Sequence, residues 1–421
     1  MLPVGAAGEM PTVQLTIPPE LIWLREFNTL GADGAHLKDE RRGYSTGEIP
    51  KGNPSSRDFG RSFRITNEVE LIQIAALSVW NAICTTVSNR TGDRICRKLR
   101  TPPSSELSPY YTTWQSFFCA VESTREPRML NALTVDVEEY FHPTELQSSP
   151  DLKQWTLLPS RVEDQTKLVL DLLARHQTKA TFFVLGWVAQ HRPRIVRQIL
   201  NAGHEIGCHS YAHELVFNLT PQQFRRDLEL AVLAIEDAGG SRPKLYRAPS
   251  YSITRRSMWA LEVLVELGFT HDSSIYPIPH DRYGIPGFSR HSQIIDTPSG
   301  PIWEIPIATV SLGGGRVAPV GGGGYLRLLP YCYTAAGIRR INNDDGESAC
   351  MYFHPWELDP AQPKLASGVV SRLRTYTGLK GMPAKLERLL TEFRFSSLST
   401  VYPAARAAPV RVLKVRQMAA G

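Results

Sequence analysis

From Met129 onward the sequence alternates short apolar runs with amphipathic segments, and that alternation limits the fold more than any other feature. The runs LNALTV, ATFFVL, HEIGC, KLYRA, THDSSI, IWEIPI and CMYFH read as strands. Between them lie helices with recognisable starts: Ser160 with Glu163 three residues on, and Thr220-Pro221-Gln222-Gln223, a capping box with proline at the first helical position. The second of these helices carries Phe224, Leu228, Ala231 and Ile235 on one face and stops at Gly239-Gly240, where left-handed geometry is expected. Strand, helix, strand in alternation predicts a largely parallel α/β sheet with crossover helices. About seven strands predict a (β/α) barrel one strand short of eight, with an open doubly wound sheet as the alternative. No glycine-rich phosphate fingerprint follows the first strand, which speaks against the nucleotide-binding form of that alternative.

The 421 residues are 42% hydrophobic and 21% charged, enough to bury one large core or two moderate ones. Residues 1–128 are broken by polar clusters such as KGNPSSRDFG and RTPPSSELSPYY and offer one helix candidate, Glu68 to Val87. They read as a poorly structured extension, residues 129–405 as the domain that holds the chemistry, and 406–421 as a C-terminal tail. The simplest account of the extension is a native start at Met129; the alternative is a partner-binding or membrane-associating segment around Leu71 to Val87. That run, interrupted by Gln73 and Asn81, falls short of the about 20 apolar residues that span a bilayer. The opening MLPVGAAGEMPTVQL lacks a charged stretch ahead of an apolar one, so no secretory signal is expected. A cytoplasmic place, at most peripheral to a membrane, follows. The net charge is +6, with an isoelectric point near 9.0, and no basic stripe interleaved with aromatics predicts nucleic-acid binding. The six cysteines are scattered without a CxxC pair, which argues against a disulfide framework or thiolate-held zinc.

Five polar clusters each follow the end of a candidate strand, where barrel enzymes carry their reactive groups. In LTVDVEEYFH, alternation puts Asp136 and Glu138 on one face and Val135 and Val137 on the other. The pair reads either as a solvated strand end or as one base and one metal ligand. In HSYAH, His209 and His213 on a helical turn would lie one above the other and reach one cation. Alone the histidines could equally cap or pack, whereas beside a strand-end carboxylate a His-His-carboxylate site with an open position is the better reading. His204 reads as structural. In LYRAPSY, Pro249 biases Ala248 away from helix, placing Arg247 on extended chain where it either orients a carboxylate or faces solvent. HDSSIYP offers Asp272. MYFHPWELD offers His354, either a satisfied strand-end residue or an acid whose tautomer a carboxylate such as Asp272 fixes.

Together these residues resemble the NodB-type polysaccharide deacetylases, the metal-dependent carbohydrate esterase family 4. The order of a strand-end acid pair, HSxxH, RxP, DSS and a late strand-end histidine matches that family across roughly residues 129–405. The runs MLNALTVDVEEYFH, ATFFVLGWVA and FHPWELDP look like the subgroup encoded near bacterial exosortase and exopolysaccharide loci. The resemblance implies a deformed (β/α) barrel that hydrolyses N-acetyl groups from hexosamine units of an N-acetylated polysaccharide, in association with a membrane exopolysaccharide machinery. It implies His209 and His213 as metal ligands, Asp136 as general base tuned by Arg247, and His354 as general acid oriented by Asp272. Most of the family has two adjacent aspartates after the first strand, the second binding metal, and here Val137 holds that place. The third ligand is therefore expected at Glu138, with Glu139 as the alternative if the strand ends early. A divalent cation is implied, zinc by the donor types, with cobalt or nickel following the same logic.

A backbone N–H near Ser250 or Tyr251 is expected to face the developing oxyanion. Tyr251, Trp303 and Trp356 are candidates for stacking on sugar rings, or else core. The glycine runs Gly313 to Arg316 and Gly321 to Gly324 predict a mobile or closely approached loop over the site. Two other functions fit the same residues: hydrolysis of a small cyclic or linear amide, and a non-catalytic sugar-binding module. The full complement of base, acid and ligand candidates argues against the second.

Overall fold

The computed structural model describes residues 129–143, 152–239, 241–280, 283–366, 368–403 and 412–414. The expected extension at 1–128, its helix candidate at Glu68 to Val87, and most of the expected tail lie outside them. Among the described residues no helix is long and apolar enough to cross a membrane.

All seven expected strands form. They are β1 (Leu130–Val137), β2 (Thr181–Val184), β3 (Glu205–Cys208), β4 (Leu245–Tyr246), β5 (His271–Asp272), β7 (Gly300–Glu304) and β10 (Cys350–Phe353). They pair in parallel in the order β10-β1-β2-β3-β4-β5-β7. Beyond β7 the sheet continues through antiparallel β6 (Gln293–Thr297), while β8 (Thr309–Gly313) and β9 (Arg316–Pro319) form a separate hairpin. β11 (Arg394–Ser396) pairs with the start of β1. β12 (Val412–Lys414) adds to β6, so three residues of the expected C-terminal tail belong to the sheet. The sheet curls on itself: past β7, the Ala308 N–H donates to the Cys350 carbonyl at the start of β10, 3.0 Å away. That bond closes a deformed barrel with irregular chain where an eighth strand would lie.

The principal helices are α1 (Val162–Arg175), α2 (Pro193–Asn201), α3 (Pro221–Gly239), α4 (Ala260–Glu266), α5 (Tyr331–Arg340), α6 (Val369–Tyr376) and α7 (Met382–Glu392). On α3 the expected capping box is present: Thr220 N–H donates to Gln223 Oε1 (2.8 Å), and Gln223 N–H to Thr220 Oγ1 (3.3 Å). Its face of Phe224, Leu228, Ala231 and Ile235 is buried as the periodicity predicts. Gly239 ends that helix against α2: a Cβ there would meet Val196 Cγ1 at 2.7 Å, so close packing asks for the glycine. The start of α1 differs from expectation. Ser160 does not cap it; its hydroxyl donates to the Glu139 carboxylate, which accepts the Arg161 N–H instead.

Alternation along β1 divides two environments. Val135 and Val137 pack into the outer apolar layer with Leu172, Leu173 and Val188, while Thr134, Asp136 and Glu138 turn to the barrel interior, where polar groups gather at the strand ends. Of the two glycine runs, Gly313 to Gly315 have positive φ and form the turn of the β8–β9 hairpin. Gly321 to Gly324 are the closely approached kind: at Gly322 (φ +30°) a Cβ would fall 1.4 Å from the Tyr352 carbonyl oxygen.

Candidate active site

At the C-terminal ends of the parallel strands, one donor atom each from Glu138, His209 and His213 lie within 4.8 Å of one another, all buried. Glu138 comes from the chain leaving β1 and His209 from the residue after β3, placed by the strand register. His213 is placed by a loop, not by the expected helical turn. Residues 209–213 are non-helical, and Ser210 (φ 64°) and His213 (φ 55°) are left-handed. Left-handed backbone in a non-glycine residue is strained and persists where neighbours over-determine it. Here Asp227 on α3 takes the Tyr211 and Ala212 N–H groups at 2.9 and 3.1 Å, and the Ser210 carbonyl accepts the Gly186 N–H at 2.8 Å.

The electron pairs of this triad suit a cation. His209 Nδ1 lies 2.8 Å from the Arg247 carbonyl oxygen; a carbonyl only accepts, so Nδ1 carries the proton and Nε2 keeps a free lone pair. Burial pulls the His209 pKa down to about 4, so the imidazole is neutral at pH 7. Glu138 Oε2 lies 2.8 Å from His213 Nε2. Burial alone would raise the Glu138 pKa, but His213, then His354 and His209, override it and hold the carboxyl well below its usual range. The free Nε2 of a neutral His209, a second imidazole at His213 and a firmly ionised Glu138 carboxylate are the donor set a divalent metal takes. Glu139 is not in this set, because its side chain faces the other way, onto Ser160 and the start of α1.

Asp136 and His354 flank the triad. Arg247 is fully buried inside the barrel, its NH1 2.7 Å from both Asp136 Oδ1 and Thr134 Oγ1, its Nε on the Ser273 carbonyl and NH2 on Ser273 Oγ. Arg247 therefore pairs with Asp136, and a surface arginine is excluded. His354 Nε2 lies 4.0 Å from Asp136 Oδ2 and 3.6 Å from Glu138 Oε1. Burial disfavours its charge, yet Glu138, Glu357 and Asp136 together raise its pKa to about 9, so it holds a proton at neutral pH.

One expected pairing changes, and the three aromatics left open between sugar contact and core are buried. Asp272 does not reach His354: it faces Glu304 across the β5–β7 register and accepts from Ser274, while the carboxylate beside His354 Nδ1 is Glu357, at 3.3 Å. Trp356 is no exposed sugar platform; it stacks on His354 (ring centroids 5.0 Å, planes 21° apart) and donates its Nε1–H to Glu138 Oε1 at 3.0 Å. Trp303 packs against Tyr402 in a second apolar cluster. Tyr251 is buried among Tyr276, Tyr283 and Tyr352 near the Arg247 guanidinium, and its N–H closes a turn onto the Ala248 carbonyl, so that donor is already engaged. Long aromatic side chains are the largest apolar payload available, and the barrel interior takes them. His204 is structural as expected, accepting the Ala180 N–H at 3.2 Å. Among the described residues, Cys208 and Cys350 are buried and in no disulfide.

Residues 157–271 match the family model "Polysaccharide deacetylase", and residues 273–403 match "Domain of unknown function (DUF3473)". A peptidoglycan-N-acetylglucosamine deacetylase of Bacillus cereus is 36% identical over 98 residues, 23% of this chain and 36% of that protein. The peptidoglycan-N-acetylmuramic acid deacetylase PdaC of Bacillus subtilis is 36% identical over 84 residues, 20% of this chain and 18% of that protein. The chain thus spans only about a third or less of the length of these relatives. Among solved structures, a family 4 carbohydrate esterase of Streptomyces lividans in complex with acetate aligns with a TM-score of 0.36 and 18% identity, covering 67% of this chain and 98% of that one.

Proposed function

We propose that this chain, whose residues 157–271 match the polysaccharide deacetylase model, hydrolyses N-acetyl groups from hexosamine units of a polysaccharide, releasing acetate. The observation that carries the reading is the convergence of three buried metal donors between a carboxylate and a protonated imidazole. Glu138, His209 and His213 would hold a divalent cation, zinc by donor type, with cobalt or nickel following the same logic. When bound, such a cation acidifies a water and polarises the amide carbonyl.

The chain's own residues do the proton work. Asp136 Oδ2 accepts a proton as the water oxygen bonds to the acetyl carbon, and Arg247 fixes the other oxygen so that Oδ2 faces the site. The C–N bond breaks as His354 Nε2 gives its proton to the departing nitrogen, leaving acetate and a free amine. The exopolysaccharide as polymer, and a cytoplasmic place peripheral to its membrane machinery, belong to the same proposal. The family-like runs and the charge of +6, which favours anionic surfaces, support them.

The test is acetate release from N-acetylhexosamine oligomers and from small amides by wild type and His354→Ala. Oligomer-dependent release that falls about 10²- to 10⁴-fold in the variant supports the reading. Release from small amides alone, or none at all, overturns it.

A further inference from the structure

Residues 273–403 match a family without an assigned role, yet they supply His354 together with Glu357, Trp356 and Arg327. We propose that this segment is the acid-bearing half of the site, in which Glu357, anchored by Arg327, is the positioning residue that sets the orientation and tautomer of His354. The proposal rests on the deacetylase reading for its kinetics and on geometry for the rest.

His354 to Leu358 form a tight turn after β10 with Pro355 at its first helical position. Within it Glu357 Oε2 accepts the His354 N–H at 2.9 Å and lies 3.3 Å from His354 Nδ1, while Oε1 pairs with Arg327 Nε. The ion pair of that carboxylate with Nδ1 favours a proton there, and Nε2 faces the Asp136–Glu138 side. Arg327 is itself fixed. NH1 donates to the Thr375 and Thr377 carbonyls at 3.1 and 2.8 Å and NH2 to that of Arg374 at 2.7 Å, so the guanidinium is wired to the C-terminal end of α6. Both partners of the ion pair are buried, an arrangement whose desolvation cost gives it no stabilising advantage over apolar packing. The same turn carries Trp356, whose Nε1–H reaches Glu138. One short loop thus places the acid and braces a candidate metal ligand, which a bare structural brace would have no reason to do.

The test uses the full chain with Glu357→Gln, and with Glu357→Gln/Arg327→Met, which removes both buried charges together in case the single variant does not fold. The expected result is a folded protein of unchanged metal content, kcat for acetate release lowered about 10- to 100-fold and KM within about twofold. In ¹⁵N-resolved histidine spectra the His354 Nδ1 signal should move in both variants. That spectral readout stands even where wild type releases no acetate, so failure of the deacetylase reading is told apart from failure of this one. An unmoved His354 signal, or a folded variant with wild-type kcat, overturns the proposal.

Discussion

Arg247 NH1 lies 2.7 Å from Asp136 Oδ1 in the interior of the barrel, bridging β1 and the chain after β4. Both side chains are nearly inaccessible, at 0% and 3%. Arg247 also satisfies Thr134 and Ser273, so one guanidinium holds three strand ends in register. Replacing it with methionine leaves Asp136 buried without its counter-charge, and should lower stability by about 3–5 kcal/mol in chemical denaturation. Lysine should rescue little, since a point charge cannot fork to the same partners. A loss below about 1 kcal/mol in both would contradict this account.

Asp227 is the residue that makes the left-handed loop of the two histidines possible. Asp227→Ala removes the acceptor of two backbone N–H groups and should weaken metal binding about 10- to 100-fold without touching a ligand. Titration with zinc against a competing chelator measures it; an unchanged affinity would show that the loop holds its shape by other contacts.

The strand order was largely legible from sequence because parallel barrel strands are buried on both faces and read as apolar runs. The acid pair was legible too, since a period of two fixes which residues share a face. The conformation of HSYAH was not: i, i+4 spacing suggests a helix, but the loop is shaped by Asp227, distant in sequence and unmarked by any motif. Glu357 was hidden differently. It stands three residues after His354 at capping-box spacing, but Asp272 offers the same carboxylate at a strand end, and residue type does not separate the two. Trp356 and Trp303 stay open between sugar contact and core in the sequence, because composition alone cannot tell an interior aromatic from an exposed one.

Asp272 and Glu304 face each other on adjacent strands, both buried. Burial raises the Asp272 pKa from 3.8 to about 6, and burial together with Asp272 raises that of Glu304 well above its usual range. A carboxyl whose folded pKa is raised binds its proton more tightly folded than unfolded, so the folded form is favoured at low pH and loses stability as pH rises through the window from about 4 to about 6. For Asp272 the change is on the order of 3 kcal/mol. Glu304→Gln should flatten that slope in denaturant midpoints measured across the window, and an unchanged slope would contradict the assignment.

Gly322 lets the chain pass against β10. Alanine there, at positive φ with a Cβ only 1.4 Å from the Tyr352 oxygen, must displace the strand that carries His354. Both thermal stability and acetate release should fall; a variant with wild-type values would show that the approach is loose.

The central claim is that Glu138, His209 and His213 hold the ion on which hydrolysis depends. It is tested most directly by following acetate release from N-acetylglucosamine oligomers before chelation, after it, and after zinc is returned, with His209→Ala alongside. Release should stop on chelation, return with zinc, and be absent from the variant together with the bound metal. Release indifferent to chelator, or His209→Ala protein that keeps both metal and activity, would contradict it.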